Sequence, residues 1–389
     1  MDEIGTNKNY IIILLGRRHV KAGFSKKMEP FVILQTSELF SKCVDVLEIS
    51  ENDNTNFSKE SDYVTVFKDP INWKRSWSSL IRMLYTDYLM SNPKDYPVIL
   101  LERPFFPIEL SNYIKQILLE NYQVPGVKKI SEPIVSLFTT GFKTGIVVDI
   151  GTNETIVCPI YDGYPIEYNV KIINCGYDDF KKKFMNELFS QYKEKPEEDI
   201  IKEISNDLMD DIIFQSGIVN HEFNNNIESN PNITDFTYEN LIIKDKYINL
   251  VVDKNTRTKP FEIFFGDKAF PNSEVIHHIV LDGIIQVLLN SNIETRKELS
   301  QNILICGGLA SVPGFERRVS SELGELISNE KILKPLADHF FVTCPPISPF
   351  IRSYYGTALM LQHEKINYNF ENTNLQRISS KINSKLEIA

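Results

Sequence analysis

The chain has 389 residues, of which 42% are hydrophobic, 24% charged and 11% aromatic, enough to bury a core of one large or two ordinary domains and too apolar for a disordered or fibrous chain. With 42 Lys and Arg against 52 Asp and Glu the net charge is -10, so no general positive field draws in nucleic acid. The five cysteines (Cys43, Cys158, Cys175, Cys306, Cys344) are odd in number, far apart and without a CxxC pair, a usage that suits a reducing intracellular compartment and argues against a structural zinc or a disulfide framework.

Residues 1–9 are acidic and polar, and no run approaches about 18 apolar residues, so neither a signal peptide nor a membrane span is expected. The first apolar run, at 10–15, is β-branched and stops at Gly16, and the pattern restarts at 20–24; this reads as strand, turn, strand. The same grammar returns at 145–151 and 155–161, which hints at duplicated halves. Between the two copies Trp77, Leu80, Ile81, Leu84, Tyr85 and Tyr88 fall at helical spacing and stop at Asn92-Pro93, which predicts a core-facing helix. A buried strand is predicted at 98–101, then a helical stripe through Leu110, Ile114, Ile117 and Leu118. Strand and helix alternate, so the class is α/β. Residues 134–138 read as one or two helical turns, which Gly141 is placed to end in the left-handed conformation. Residues 303–306 form a strand running into Gly307-Gly308, and Pro313-Gly314 precedes Phe315, Val319, Leu323 and Leu326 at helical spacing. The polar stretches 51–62 and 221–232 read as exposed loops, and residues 365–389 as a docked helix or a loose end.

Three strand-then-glycine elements suggest a phosphate site, because glycine lets backbone N–H groups approach an anion. Tight turns after buried strands also need glycine on steric grounds, so the glycines alone leave both readings open. Their combination and order is more specific. Lys21-Ala-Gly-Phe24, Asp149-x-Gly151, Pro159-Ile-Tyr-Asp-Gly163, Gly307-Gly308 with Pro313-Gly314, the segments 96–102, 121–125 and 144–149, and Pro345-Pro346 together resemble the actin family over nearly the whole chain. Within it, Leu84-Tyr85, Asn92-Pro93-Lys-Asp95 and the segments 294–299 and 302–305 are most similar to the pointed-end actin-related subunits of dynactin. The resemblance implies an actin-like ATPase fold of two duplicated α/β domains flanking a nucleotide cleft. The small domain would be residues 1–139 plus 351–389, with an outer loop at about 35–63; the large one would be 140–350, with an outer subdomain at about 175–276.

Members of this family hold ATP phosphates between two hairpin loops, position Mg²⁺ through water with acidic residues, and orient the attacking water with a Gln and a His. Carried over by position, the acidic residue of the first strand falls on Leu14, and the small phosphate-contacting residues fall on Arg17 and Arg18; Gly16 and Lys21 are kept. In the second loop Asp149 and Gly151 are kept, the second acid falls on Thr152, a glycine on Asn153 and the His on Ile156; the Gln falls on Glu132. An isoleucine neither polarises nor orients water, so no ATP hydrolysis is expected. On the adenosine side Gly307 and Gly308 are kept, a flanking Lys falls on Pro349, and a Lys-Glu pair falls near Met209 and Asp210. Two readings stand side by side: Arg17 and Arg18 hold the phosphates of a trapped ATP or ADP, or they pair with Asp149 or Glu132 and fill an empty cleft. No metal site is expected, since His277 and His278 are adjacent and point about 100° apart on a helix, while His19, His221, His339 and His363 are isolated.

A member without hydrolysis keeps its binding surfaces. The family's barbed-end groove carries over to Phe138, Thr139, Gly141, Lys143, Tyr161, Tyr164 and Leu359; aromatics beside small residues suit a partner-receiving pocket, and equally a domain seam. The loops at 35–62 and 224–232 depart from the family and would deny a further protomer a matching surface. The resemblance thus implies a non-catalytic cytoplasmic, cytoskeletal subunit that caps the pointed end of the dynactin filament. Its partners would be the filament's actin-related protein and other pointed-end subunits, with an indirect link to dynein, microtubule transport and nuclear migration. The alternative is a chromatin-remodelling actin-related protein; a sugar kinase or heat-shock chaperone of the same fold would need the acid that Leu14 replaces.

Overall fold

The computed structural model describes residues 9–36, 39, 73–220, 233–243, 246–266 and 279–363. Most of the loop expected at 35–63, the Asn-rich stretch 221–232, His277 and His278, and the last 26 residues lie outside them. The chain divides into two compact units, Met1–Thr139 with Ile351–Ala389, and Thr140–Phe350.

In the first unit, β1 (Ile11–Leu15), β2 (His19–Phe24), β3 (Val32–Gln35), β4 (Val98–Glu102) and β5 (Val127–Ser131) form one sheet in the order β3-β2-β1-β4-β5. β1 pairs antiparallel with β2 and parallel with β4, and β4 runs parallel with β5. A central strand paired in this way is covered on both faces, hence its unbroken apolar sequence. Ile11, Ile13 and Leu15 pack with Trp77, Leu80 and Ile81 of α1 (Trp73–Met83) and Leu110 and Ile114 of α2 (Ile108–Gln116). Ile12 and Leu14 face the other way, onto Val135 of α3 (Glu132–Phe138) and onto Tyr354, Ala358 and Met360 of the last helix, Arg352–His363. Each such side chain contributes about 1.5–3 kcal/mol by leaving water. Those two helices touch backbone to backbone, since a Cβ on Gly356 would lie 1.8 Å from the Val135 carbonyl oxygen.

The stripe from Trp77 to Tyr88 is one helix in the sequence and two hydrogen-bonding patterns in the structure. After Met83 the chain widens into a π-turn, Leu84–Tyr88, closed by Leu89 N–H donating to Leu84 O at 2.8 Å. The wider turn keeps Leu84 and Tyr85 inside the core. The same widening, Ile117–Asn121, ends the second stripe.

The second unit repeats the plan. β6 (Gly145–Ile150) and β7 (Thr155–Tyr161) form an antiparallel hairpin, β6 runs parallel with β12 (Ile303–Cys306), and β12 with β13 (Val342–Thr343). β8 (Tyr164–Pro165) and β9 (Lys171–Ile173) both pair with β7, while β10 (Phe236–Ile243) and β11 (Lys246–Val252) form a separate ribbon. In each sheet a hairpin's first strand lies beside a later parallel strand, so the two hairpins seen in the sequence are topological equivalents. The core is aromatic: Phe180 of α4 (Tyr177–Tyr192) lies 4.4 Å from Phe261, ring centre to ring centre, and meets Phe264, which packs on Phe315. Around it sit α5 (Asn206–Ser216), α6 (Ile279–Asn290) and α7 (Phe315–Asn329), the last burying Phe315, Val319, Leu323 and Ile327 at four-residue intervals. Among the described residues no helix is long and apolar enough to cross a membrane.

Candidate functional site

The first hairpin turn is built around Gly16, whose N–H donates to His19 O at 3.0 Å. A Cβ there would lie 2.5 Å from that carbonyl oxygen, so glycine is required by close approach. Thr36 pins the turn from the end of β3, its hydroxyl donating to Gly16 O at 3.1 Å and its N–H to Arg18 O at 2.8 Å. Arg17 and Arg18 sit half-buried on this turn. Lys21 is buried, across the ladder from Leu14. Leu14 turns its hydrocarbon into the cluster of Ile12, Ile99, Leu101 and Val135.

In the second unit the turn closes through Gly151 N–H donating to Glu154 O at 2.9 Å. Helix α4 begins directly beside it. The N–H groups of Tyr177 and Asp178 donate to Gly151 O and Thr152 O at 3.0 and 2.8 Å, and Gly176 is forced, because a Cβ would stand 2.5 Å from Thr152 O. Asp149 is half-buried, with Ile156 and Cys306 as its neighbours across the sheet. Ile156 is 2% exposed.

Beyond β12, Gly307 has a φ of +104°, and a Cβ on it would meet Ile150 O at 2.2 Å. Close strand packing therefore accounts for this glycine by itself. Its N–H donates to Pro349 O at 3.2 Å. Gly308 faces two rings, with the Cβ position 3.6 Å from Phe214 and 3.7 Å from Phe350. Asp210 lies in α5 and pairs with Lys181 of α4 at 2.9 Å, while the Tyr177 hydroxyl donates to the same carboxylate oxygen. Lys181 also donates to Asn206 O at 3.0 Å, and the Tyr177 ring stacks parallel on Phe214 at 5.9 Å. Met209 is buried. None of Arg17, Arg18, Lys21, Asp149 and Asp210 is without an interaction inside the chain.

The groove residues divide between the units. In the first, Phe138 and Leu359 are half-buried, and the Thr139 hydroxyl and N–H both donate to Ser136 O. In the second, Gly141 has a φ of +79° with open space about it. The β7–β8 turn places Asp162 and Gly163 at φ +48° and +82°, the twisted geometry that suits a two-residue hairpin. It is tied to the preceding segment by Gly163 N–H to Lys143 O at 2.8 Å and Asp162 N–H to the Thr144 hydroxyl at 3.0 Å. Tyr161 and Tyr164 flank the turn at 39% and 75% exposure. Phe142 and Tyr168 are also exposed and were absent from the sequence reading; Phe142 adjoins Gly141 and Lys143, and that adjacency was the available signal.

Burial pushes the Cys158 and Cys175 thiols up to about 12, so neither is a nucleophile at neutral pH. Among the described residues no group of three His, Cys, Asp or Glu side chains could hold a metal ion.

The actin family's sequence profile matches residues 5–350. The chain belongs to the actin family. The two sheets on one plan, flanked by helices, are its α/β fold. Actin-related protein 3 of Oryza sativa subsp. indica and that of subsp. japonica are each 28% identical over 274 residues, covering 66% of this chain and 60% of theirs. The chain thus spans 60% of the length of the rice actin-related proteins it matches. Actin-related protein 10 of Dictyostelium discoideum is 25% identical, with 91% of this chain and 82% of that protein covered. Set against the family's way of holding Mg-nucleotide, the residues do not fit: hydrocarbon stands at Leu14 and Ile156, and Asp210 is bound within its own unit.

Proposed function

We propose that this chain is a non-hydrolysing actin-fold subunit that binds another actin-like protomer, and that it caps the pointed end of the dynactin filament in the cytoplasm. The observation that carries the binding reading is the β7–β8 turn, a rigid hairpin presenting Tyr161 and Tyr164 to solvent. Exposed aromatics on a pre-organised element lose little entropy on binding and make strong anchors. Leu14 and Ile156 support the non-hydrolysing reading, because buried hydrocarbon at these two positions neither orders a metal-bound water nor orients an attacking one. The match to actin-related protein 10, which extends over 91% of this chain, supports this assignment.

The test is recovery of a tagged copy from its native cells. The wild-type chain is expected to bring down the dynactin filament protein and other pointed-end subunits, linking it to dynein-driven transport. Tyr164→Asp should lose them, by about tenfold or more, with an unchanged thermal melt. Retention by the mutant, or wild-type recovery with a chromatin remodeller, would overturn the reading. Incubated with Mg-ATP, the purified protein should release phosphate no faster than a buffer blank; turnover abolished by Asp149→Asn would sink the non-hydrolysing assignment.

A further inference from the structure

We infer that this chain folds and persists without a bound nucleotide, its second unit being braced by the Lys181–Asp210–Tyr177 network on the wall where the family seats a nucleoside. The inference goes beyond the capping reading and stands without it.

The network links α4 to α5 and continues to the glycine pair. Asp210 takes the Lys181 ammonium at 2.9 Å and the Tyr177 hydroxyl on one oxygen, at side-chain exposures of 9% for Lys181 and 14% for Asp210. Lys181 spends a further proton on Asn206 O. The Tyr177 ring stacks on Phe214, and Phe214 and Phe350 cover Gly308. A nearly buried pair of this kind is stable when its remaining polar atoms are satisfied, and costly to break because one charge is then left uncompensated. A ribose hydroxyl would have to share a carboxylate that already holds two donors.

The phosphate side is answered internally as well. The start of a helix offers N–H donors and a positive dipole end to an anion. At α4 the first of these donors already bind Gly151 O and Thr152 O. Asp179 accepts from Gly176 N–H at 3.2 Å, and with Asp178 it places two carboxylates in the first turn, where they oppose a phosphate. In the first unit the acid's place is hydrocarbon. A ligand stabilises a fold in proportion to its affinity and concentration; here Asp210 and the first N–H donors of α4 are already engaged.

Protein purified from its native source, denatured in acid and analysed by chromatography for released nucleotide, is expected to hold less than about one nucleotide per ten chains. Its melting temperature should agree to about 1 °C between EDTA and millimolar Mg-ATP. Near-stoichiometric ATP or ADP, or a rise of several degrees with Mg-ATP, would overturn the inference. Lys181→Met and Asp210→Asn should each lower the melting temperature by a few degrees, and the double variant little further, since the two act through one pair; additive losses would count against the network. Bound nucleotide without phosphate release would defeat this inference and leave the non-hydrolysing cap intact.

Discussion

Leu14 and Cys158 show how position in a duplicated sheet decides what a side chain can do. Leu14 lies one residue before the end of a central strand and turns inward, so hydrocarbon stands where the resemblance places the family's carboxylate. Cys158, 0% exposed on β7, and Cys175, 2% exposed just before α4, are held protonated by burial. Their pH effect has a definite sign. Between the ordinary thiol value of 9.0 and the folded value of about 12 the unfolded chain has lost these protons and the native chain keeps them. Stability is therefore undiminished below about pH 9 and falls as pH rises toward 12. Denaturant titrations across that range should show midpoints falling. At neutral pH a thiol reagent should modify Cys344, which is exposed, ahead of Cys158 and Cys175, which should react only on unfolding. Equal rates for the three would contradict the burial.

At the scale of elements, the glycines separate by cause. Gly141 has a positive φ and nothing near its missing Cβ, whereas Gly307 has a positive φ and a carbonyl oxygen 2.2 Å from it. Gly141→Ala should cost about 1 kcal/mol, for backbone conformation alone. Gly307→Ala should cost roughly 2–5 kcal/mol, because the strand must also move. Chemical denaturation of the two variants distinguishes them, and equal losses would show that the close approach does not matter. The hairpins and their glycines were legible in sequence because short β-branched runs stopping at glycine have few other realisations. The π-turns were not, since one extra residue per turn leaves a hydrophobic stripe almost unchanged over five positions. The Asp210 network was invisible for another reason. Its partners lie 29 and 33 residues upstream on a different helix, and only the packing of α4 against α5 brings them together. Phe142 and Tyr168 belong to no pattern in the sequence, and their exposure is a property of the folded surface.

For the whole molecule, the division at Thr139 and Phe350 means that the chain leaves the first unit, builds the second and returns. The returning helix supplies Tyr354, Ala358 and Met360 to the layer that covers Ile12 and Leu14. A chain ending at Phe350 should therefore yield no soluble first unit, which expression followed by sedimentation would check; a soluble monomer with native-like dispersion would argue that the helix is dispensable. The same feature sets a timetable for synthesis. The last core residues of the first unit emerge after the entire second unit has been made, a separation of 215 positions between Thr139 and Tyr354. At translation speeds of about 5–20 residues per second the nascent sheet waits roughly 10–40 s with one face only partly covered. Through that interval the growing chain depends on whatever in the cell shields apolar surface, and its yield is governed by that shelter as much as by the stability of the finished fold.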